Sequence, residues 1–168
     1  MGSYRFKTIN GEKVLIYNNT KIKVLIGEEK LRRRVRELGR QITRDYKDKN
    51  PVLVSVLRGS FIFVADICRE IKIPVTFDFM AVSSYGNSKV SSGIVRITKD
   101  LEFSIENKEV IIIEDIVDSG RTLNYLVKNL QARNPKSIQV CALLDKDVPR
   151  KTVNKVKYKG FDLSLIHI

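Results

Sequence analysis

The chain has 168 residues, 43% apolar and 30% charged, with 31 Lys and Arg against 19 Asp and Glu for a net charge of +12. That length fits a single domain of ordinary size spanning 1–168, and the apolar content supports a packed core, which excludes a disordered chain. No apolar run approaches the ~20 residues that cross a bilayer and the N-terminus has no signal-peptide core, so a membrane partner is not expected; the basic excess by itself can mean nucleic acid, acidic lipid or phosphorylated substrates.

Residues 1–27 read as an N-terminal arm, with Val14–Tyr17 as a short strand, Asn18-Asn19 as a turn and Val24-Leu25-Ile26 as a second short strand. From Glu28 the period changes. Leu31, Val35, Leu38 and Ile42 recur at helical spacing through about Tyr46. Arg32, Arg33, Arg34, Arg36 and Arg40 fall mostly off that stripe, as a solvated basic face or as a surface for nucleic acid or another partner. Asn50-Pro51 ends the unit. Val52–Leu57 is a buried strand running into Arg58-Gly59-Ser60 and a helix through Ile71, and Val75–Val82 alternates as a further strand. Residues 83–93, rich in Ser, Gly and Asn, read as a long loop, after which Ile94–Ile97 returns as a strand.

Val110-Ile111-Ile112-Ile113 is the most apolar strand of the chain, the kind buried on both faces of a parallel sheet. Two carboxylates, Glu114 and Asp115, follow it, and then Asp118-Ser119-Gly120-Arg121-Thr122 opens a helix over 122–133. Such a turn presents backbone N–H groups, hydroxyls and the positive end of a helix dipole, which suits a phosphate. The two acids suit sugar hydroxyls or a hard cation. Ser137–Leu144 is the next strand and ends at Asp145-Lys146-Asp147. Alternating strands and helices predict a doubly wound, mainly parallel α/β sheet with helices on both faces. Three loops (58–60, 114–122 and 145–147) then leave the C-terminal ends of parallel strands and converge as one composite site for a charged ligand. Cys68 and Cys141 lie in apolar patterns and read as free thiols of a reducing cytoplasm. The single histidine, His167, cannot anchor a catalytic triad by itself.

The stretch Val110–Leu123 resembles the phosphoribosyl-diphosphate signature of type I phosphoribosyltransferases, and Leu57-Arg58-Gly59-Ser60 is similar to the diphosphate loop of their purine branch. Asp78–Gly86 is similar to the segment of 6-oxopurine enzymes that carries a Ser-Tyr lid, here Ser84 and Tyr85. Leu143-Leu144-Asp145-Lys146 is similar to their purine-recognition segment. Together, from about Glu28 to Phe161, the chain resembles the hypoxanthine-guanine phosphoribosyltransferases. The resemblance implies the type I phosphoribosyltransferase fold. It also implies purine salvage, transfer of phosphoribosyl from phosphoribosyl diphosphate to hypoxanthine or guanine with release of diphosphate.

By that resemblance Asp118 is the catalytic base, and Arg58, Gly59, Glu114, Asp115, Asp118, Ser119, Gly120, Arg121 and Thr122 bind phosphoribosyl diphosphate. Glu114 and Asp115 are the metal residues for Mg²⁺, Lys146 binds the purine 6-oxygen, and Ser84 and Tyr85 form the lid. Arg150 aligns with a basic residue of the purine loop, and the peptide after Arg58 is expected to be cis. A cytoplasmic homodimer or homotetramer is implied, and nucleic acid is not the expected partner. The C-terminus departs from the pattern. Where the family continues with Ile-Pro-Asp/Asn, an aromatic and Val-Val-Gly-Tyr, residues 162–168 read Asp-Leu-Ser-Leu-Ile-His-Ile, leaving the purine hood incomplete. Codons for that tail read two bases later can spell Phe-Ile-Pro-Asn-Thr-Tyr, so a frameshift is one expectation, decided by sequencing the coding DNA. Two alternatives stay open: an enzyme preferring xanthine, and an RNA-binding attenuation regulator on the same fold.

Overall fold

A computed structural model describes residues 4–9, 12–17, 20–84, 95–148 and 155–164. The expected Asn18-Asn19 turn, Tyr85 and the loop beyond it, Arg150 and His167 lie outside them. The chain divides into two compact units, Met1–Arg33 and Arg34–Ile168.

The first unit is a three-stranded antiparallel sheet of β1 (Tyr4–Ile9), β2 (Glu12–Tyr17) and β3 (Thr20–Lys23). Val24–Ile26, expected as a strand, follows β3 instead of forming it. Pairing with β2 begins at Tyr17↔Thr20 and ends at Val14↔Lys23, so the ladder stops before Val24. Helix α1 (Glu28–Asp45) starts in this unit and continues into the second.

The second unit is built on a six-stranded sheet. Its strands are β4 (Val52–Leu57), β5 (Thr76–Ser84), β6 (Val95–Lys99), β7 (Glu109–Val117), β8 (Ser137–Lys146) and β9 (Tyr158–Leu163), in the order β6-β5-β4-β7-β8-β9. All neighbours are parallel except β5 and β6. Val110, Ile111, Ile112 and Ile113 are fully buried at the centre. Burying side chains of that size stabilises by roughly 1.5–3 kcal/mol each. Alternation along the strands divides the core. Val52, Val54, Val56, Val110 and Ile112 meet Leu123, Leu126, Val127 and Leu130 of α3 (Arg121–Gln131) on one face. Leu53, Ile111, Ile113 and Cys141 meet Val35, Leu38 and Ile42 of α1 and Phe63, Val64 and Ile67 of α2 (Phe61–Glu70) on the other. Helices therefore cover both faces, as the alternation of elements predicts.

Three boundaries differ from expectation. The parallel ladder with β8 runs on through Ile116↔Leu144 and Val117↔Asp145, so Glu114 and Asp115 lie inside β7 and not after it. Pairing with β9 likewise carries β8 through Lys146↔Leu163. β9 itself was not anticipated, and it takes in Asp162 and Leu163 of the C-terminal stretch that departs from the family pattern. Ser83 and Ser84, assigned to a loop, end β5 opposite Arg96 and Val95.

Arg34 also departs from the solvated basic face assigned to α1. Its Nε and Nη2 donate to the carbonyls of Gly160 and Lys159, at 2.9 and 2.6 Å, while Nη1 pairs with Glu37 at 2.7 Å. Arg32, Arg33, Arg36, Arg40 and Arg44 are exposed. The two cysteines are free, Cys141 buried and Cys68 partly so, and burial pushes both thiols up from their ordinary pKa.

Candidate active site

The connection from β4 leads through α2 to β5 on one side, whereas β7 leads through α3 to β8 on the other. The sheet therefore switches direction between β4 and β7, and a crevice opens at the C-terminal ends of strands at such a point. The three loops expected to converge leave β4, β7 and β8, which are neighbours in the sheet.

The β4 loop is held from beneath. Ser60 is completely buried; its hydroxyl donates to the Val56 carbonyl at 2.5 Å and meets the Ser55 hydroxyl at 2.7 Å. This leaves Arg58 and Gly59 exposed above the sheet. The Leu57–Arg58 peptide is cis, one residue earlier than expected. At Gly59 any Cβ would stand 2.5 Å from Asp115 Oδ2, so only glycine allows the β4 loop to approach the β7 carboxylate this closely.

The two acids of β7 differ in surroundings. Glu114 is 8% exposed, and burial, together with the charge of Asp115, pushes its carboxyl up to about 8. A carboxylate buried beside a half-buried second one is satisfied by a proton or by a cation. Among the described residues no group of three or more His, Cys, Asp or Glu gathers, so the protein offers two carboxylates and no closed cage. That donor set fits Mg²⁺, which takes one or two carboxylates and completes its shell with water and phosphate oxygens.

Beyond the acids, a cleft of about 100 Å³ is lined by Glu114 and by Ile116 through Leu123. Gly120 turns the chain into α3 at φ 74°, a left-handed conformation that side chains disfavour. Its carbonyl accepts from Asn124 at 2.8 Å and starts the helix. No acidic residue stands in the first turn of α3, so no carboxylate of that turn competes for the positive end of its dipole. Ser119 and Arg121 are exposed there and Thr122 is partly buried.

The third loop meets the second through Lys146, whose Nζ lies 3.1 Å from Asp118 Oδ1. Lys146 is flanked by fixed neighbours. Buried Asp145 faces Lys159 Nζ of β9 at 3.8 Å, Lys159 also pairs with Asp162 at 2.6 Å, and the Asp147 N–H donates to Leu163 O at 2.9 Å. Sequence reasoning missed Ser55 and Lys159. Ser55 sits in an apolar strand with no local signal, and Lys159 acquires its place only once β9 is recognised. Ser84 ends β5, at the same edge of the sheet, and Tyr85 lies outside the described residues. Asp78, within the segment that carries the lid resemblance, is buried and structural: its carboxylate accepts the N–H groups of Phe79, Glu102 and Phe103.

The phosphoribosyl transferase domain family matches residues 26–168. The hypoxanthine-guanine phosphoribosyltransferase of Dictyostelium discoideum is 51% identical over 149 residues, covering 86% of this chain and 83% of the relative. The solved structure of a hypoxanthine-guanine phosphoribosyltransferase from Bacillus anthracis superposes with a TM-score of 0.79 at 44% identity, covering 84% of each chain. That of the Trypanosoma cruzi hypoxanthine phosphoribosyltransferase, in complex with the product IMP, superposes at 0.77 with 40% identity, covering 84% of this chain and 80% of that one. The chain belongs to the phosphoribosyltransferase family, among the hypoxanthine-guanine phosphoribosyltransferases.

Proposed function

We propose that this chain transfers the phosphoribosyl group of phosphoribosyl diphosphate to hypoxanthine or guanine, releasing diphosphate, as a purine-salvage enzyme. The observation that carries the reading is the meeting of three loops at one sheet edge: Gly59 against Asp115, and Lys146 against Asp118. The names of the relatives and the IMP bound to the Trypanosoma cruzi protein support it.

In this reading the 5′-phosphate rests on residues 118–122, against the N–H groups at the start of α3, the Ser119 and Thr122 hydroxyls and Arg121. Glu114 and Asp115 hold the ribose hydroxyls. They are also the residues to hold Mg²⁺, which when bound neutralises charge on the departing diphosphate. Arg58 and the Gly59 backbone bind that diphosphate from the β4 loop. As its bond to the ribose loosens, positive charge spreads over the sugar ring, and the β7 carboxylates favour that charge. Asp118 accepts the proton at purine N7 while Lys146 donates to the 6-oxygen. Adenine, which presents an amino donor at that position, is rejected. Ser84 and Tyr85 belong to the segment that closes over the reacting centre and excludes water. No helix among the described residues is long and apolar enough to cross a membrane, and we place the enzyme in the cytoplasm as a homodimer or homotetramer.

The test is diphosphate release measured with hypoxanthine, guanine, xanthine and uracil. Release with the first two is expected. Release with xanthine alone moves the substrate assignment, and no release with any base, together with RNA retention at physiological salt, overturns the reading in favour of a nucleic-acid regulator.

A further inference from the structure

Resting on that reading, we propose that Arg34 is a positioning residue of the base subsite: from α1 it holds β9, and β9 holds the end of β8 that carries Lys146. The ladder between these strands pairs Ala142↔Lys159, Leu144↔Phe161, Asp145↔Asp162 and Lys146↔Leu163. Further ties reinforce it. Gly160 lies so close to the Leu143 carbonyl that a Cβ there would run into it. Lys159 Nζ stands 3.8 Å from Asp145 Oδ2, and the Asp147 N–H donates to Leu163 O at 2.9 Å. Lys146, the last residue of β8, has one of these ties on each side, so its backbone follows β9.

Among the described residues no strand pairs with the other border of β9, and α1 supplies the support there. Arg34 donates from Nε to Gly160 O at 2.9 Å and from Nη2 to Lys159 O at 2.6 Å. Those are the residues that pack on Leu143 and face Asp145. Glu37 takes Nη1 at 2.7 Å, so the fork is oriented by its own helix. The Tyr158 hydroxyl adds a bond to Asp45 of α1 at 2.9 Å. The helix itself is seated by Leu38 and Ile42, buried in one cluster with Leu53 and Ile111 of the sheet centre. A planar fork on two carbonyls fixes direction as well as distance, which a point charge does not. The effect falls on one substrate. Phosphoribosyl diphosphate is held from β4 and β7, neither of which pairs with β9, whereas the base is read from the end of β8. A binding group loses its worth when its support lets it wander by ~1 Å. Loosening β9 is therefore felt by the base and not by the phosphoribosyl donor.

Steady-state kinetics of the whole chain, with hypoxanthine and phosphoribosyl diphosphate varied in turn, test this. In Arg34→Met, KM for hypoxanthine should rise about ten-fold, the scale of one hydrogen bond to a charged group, while KM for phosphoribosyl diphosphate and kcat stay within about two-fold of wild type. Arg34→Lys, which keeps the charge and the stem but not the fork, should fall between, at about four-fold. A merely structural arginine would lower the thermal midpoint and the yield of active enzyme and leave both KM values where they were. Hypoxanthine KM within about two-fold of wild type in Arg34→Met, or the two KM values rising together, overturns the role of Arg34. Should Arg34→Met not fold, Arg34→Lys decides by the same criteria. Wild type that turns over no purine removes the purine reading and this role with it, whereas an active wild type with an unshifted variant removes the role of Arg34 alone.

Discussion

Strand β7 carries a glutamate at its start and another towards its far end, and their electrostatics are opposite. Glu109 accepts the Ser137 hydroxyl and faces Lys136 at 3.5 Å and Lys49 at 3.8 Å, and these donors hold its carboxyl below the ordinary range. Nearby, the Tyr158 hydroxyl donates to Asp45 at 2.9 Å, and Lys157 lies over the Tyr158 ring at 5.1 Å. Glu114, buried beside a second carboxylate, is pushed up to about 8. The N-terminal edge of the sheet is settled by groups the protein supplies. The C-terminal edge sets like charges together and leaves their neutralisation to a proton or to something that binds. Perturbed groups gather where chemistry is done, and here one strand displays both conditions.

Substitutions at the two edges should therefore separate activity from stability. The largest effect is expected at Asp118: Asp118→Asn should lower turnover by roughly 10²–10⁴, the scale of acid–base assistance, with the thermal midpoint close to wild type. Near-normal steady-state turnover would remove Asp118 from its role. Gly59→Ala comes next. Its Cβ would collide with the Asp115 carboxylate, so the carboxylate or the β4 loop must shift, and a misplacement of ~1 Å costs about 10² in rate, read as kcat/KM for phosphoribosyl diphosphate.

The two glutamates should then respond to pH with opposite sign. Because the folded pKa of Glu114 is raised, its penalty is absent below its ordinary value of 4.5 and grows as pH rises to about 8. Without ligand or divalent cation, Glu114→Gln should be more stable than wild type at pH 8, on the order of 2 kcal/mol, with the advantage gone by pH 4 in denaturant titrations. Because the folded pKa of Glu109 is depressed, its contribution is present above 4.5 and disappears as pH falls. Glu109→Gln should cost about 1 kcal/mol at neutral pH, nothing in strong acid, and leave kcat unchanged. Equal pH slopes for the two variants would dissolve the contrast between the edges.

Much of this architecture could be read from the chain. Val52–Leu57 and Val110–Ile113 announce themselves because strands buried on both faces are continuous apolar runs, and Leu123, Leu126, Val127 and Leu130 carry the helical period of α3. β9 was hidden because Tyr158-Lys159-Gly160-Phe161-Asp162-Leu163 mixes charge, glycine and aromatics without a clean period. The three site loops were legible individually. Their contacts were not, since Gly59 meeting Asp115 and Lys146 meeting Asp118 depend on the strand order β4-β7-β8, a long-range property of the sheet. The raised pKa of Glu114 was equally out of reach, because it follows from the acid lying inside β7 and not beyond its end.

The guanidinium of Arg34 reaches two successive carbonyls of β9, the outermost strand of its sheet. An outermost strand with straight, vacant backbone groups is a template on which another chain can add its own strand, the first step towards fibrils. Here two of its acceptors are already taken. Arg34 of α1 thus removes two acceptors from the template that this border of the sheet would otherwise offer.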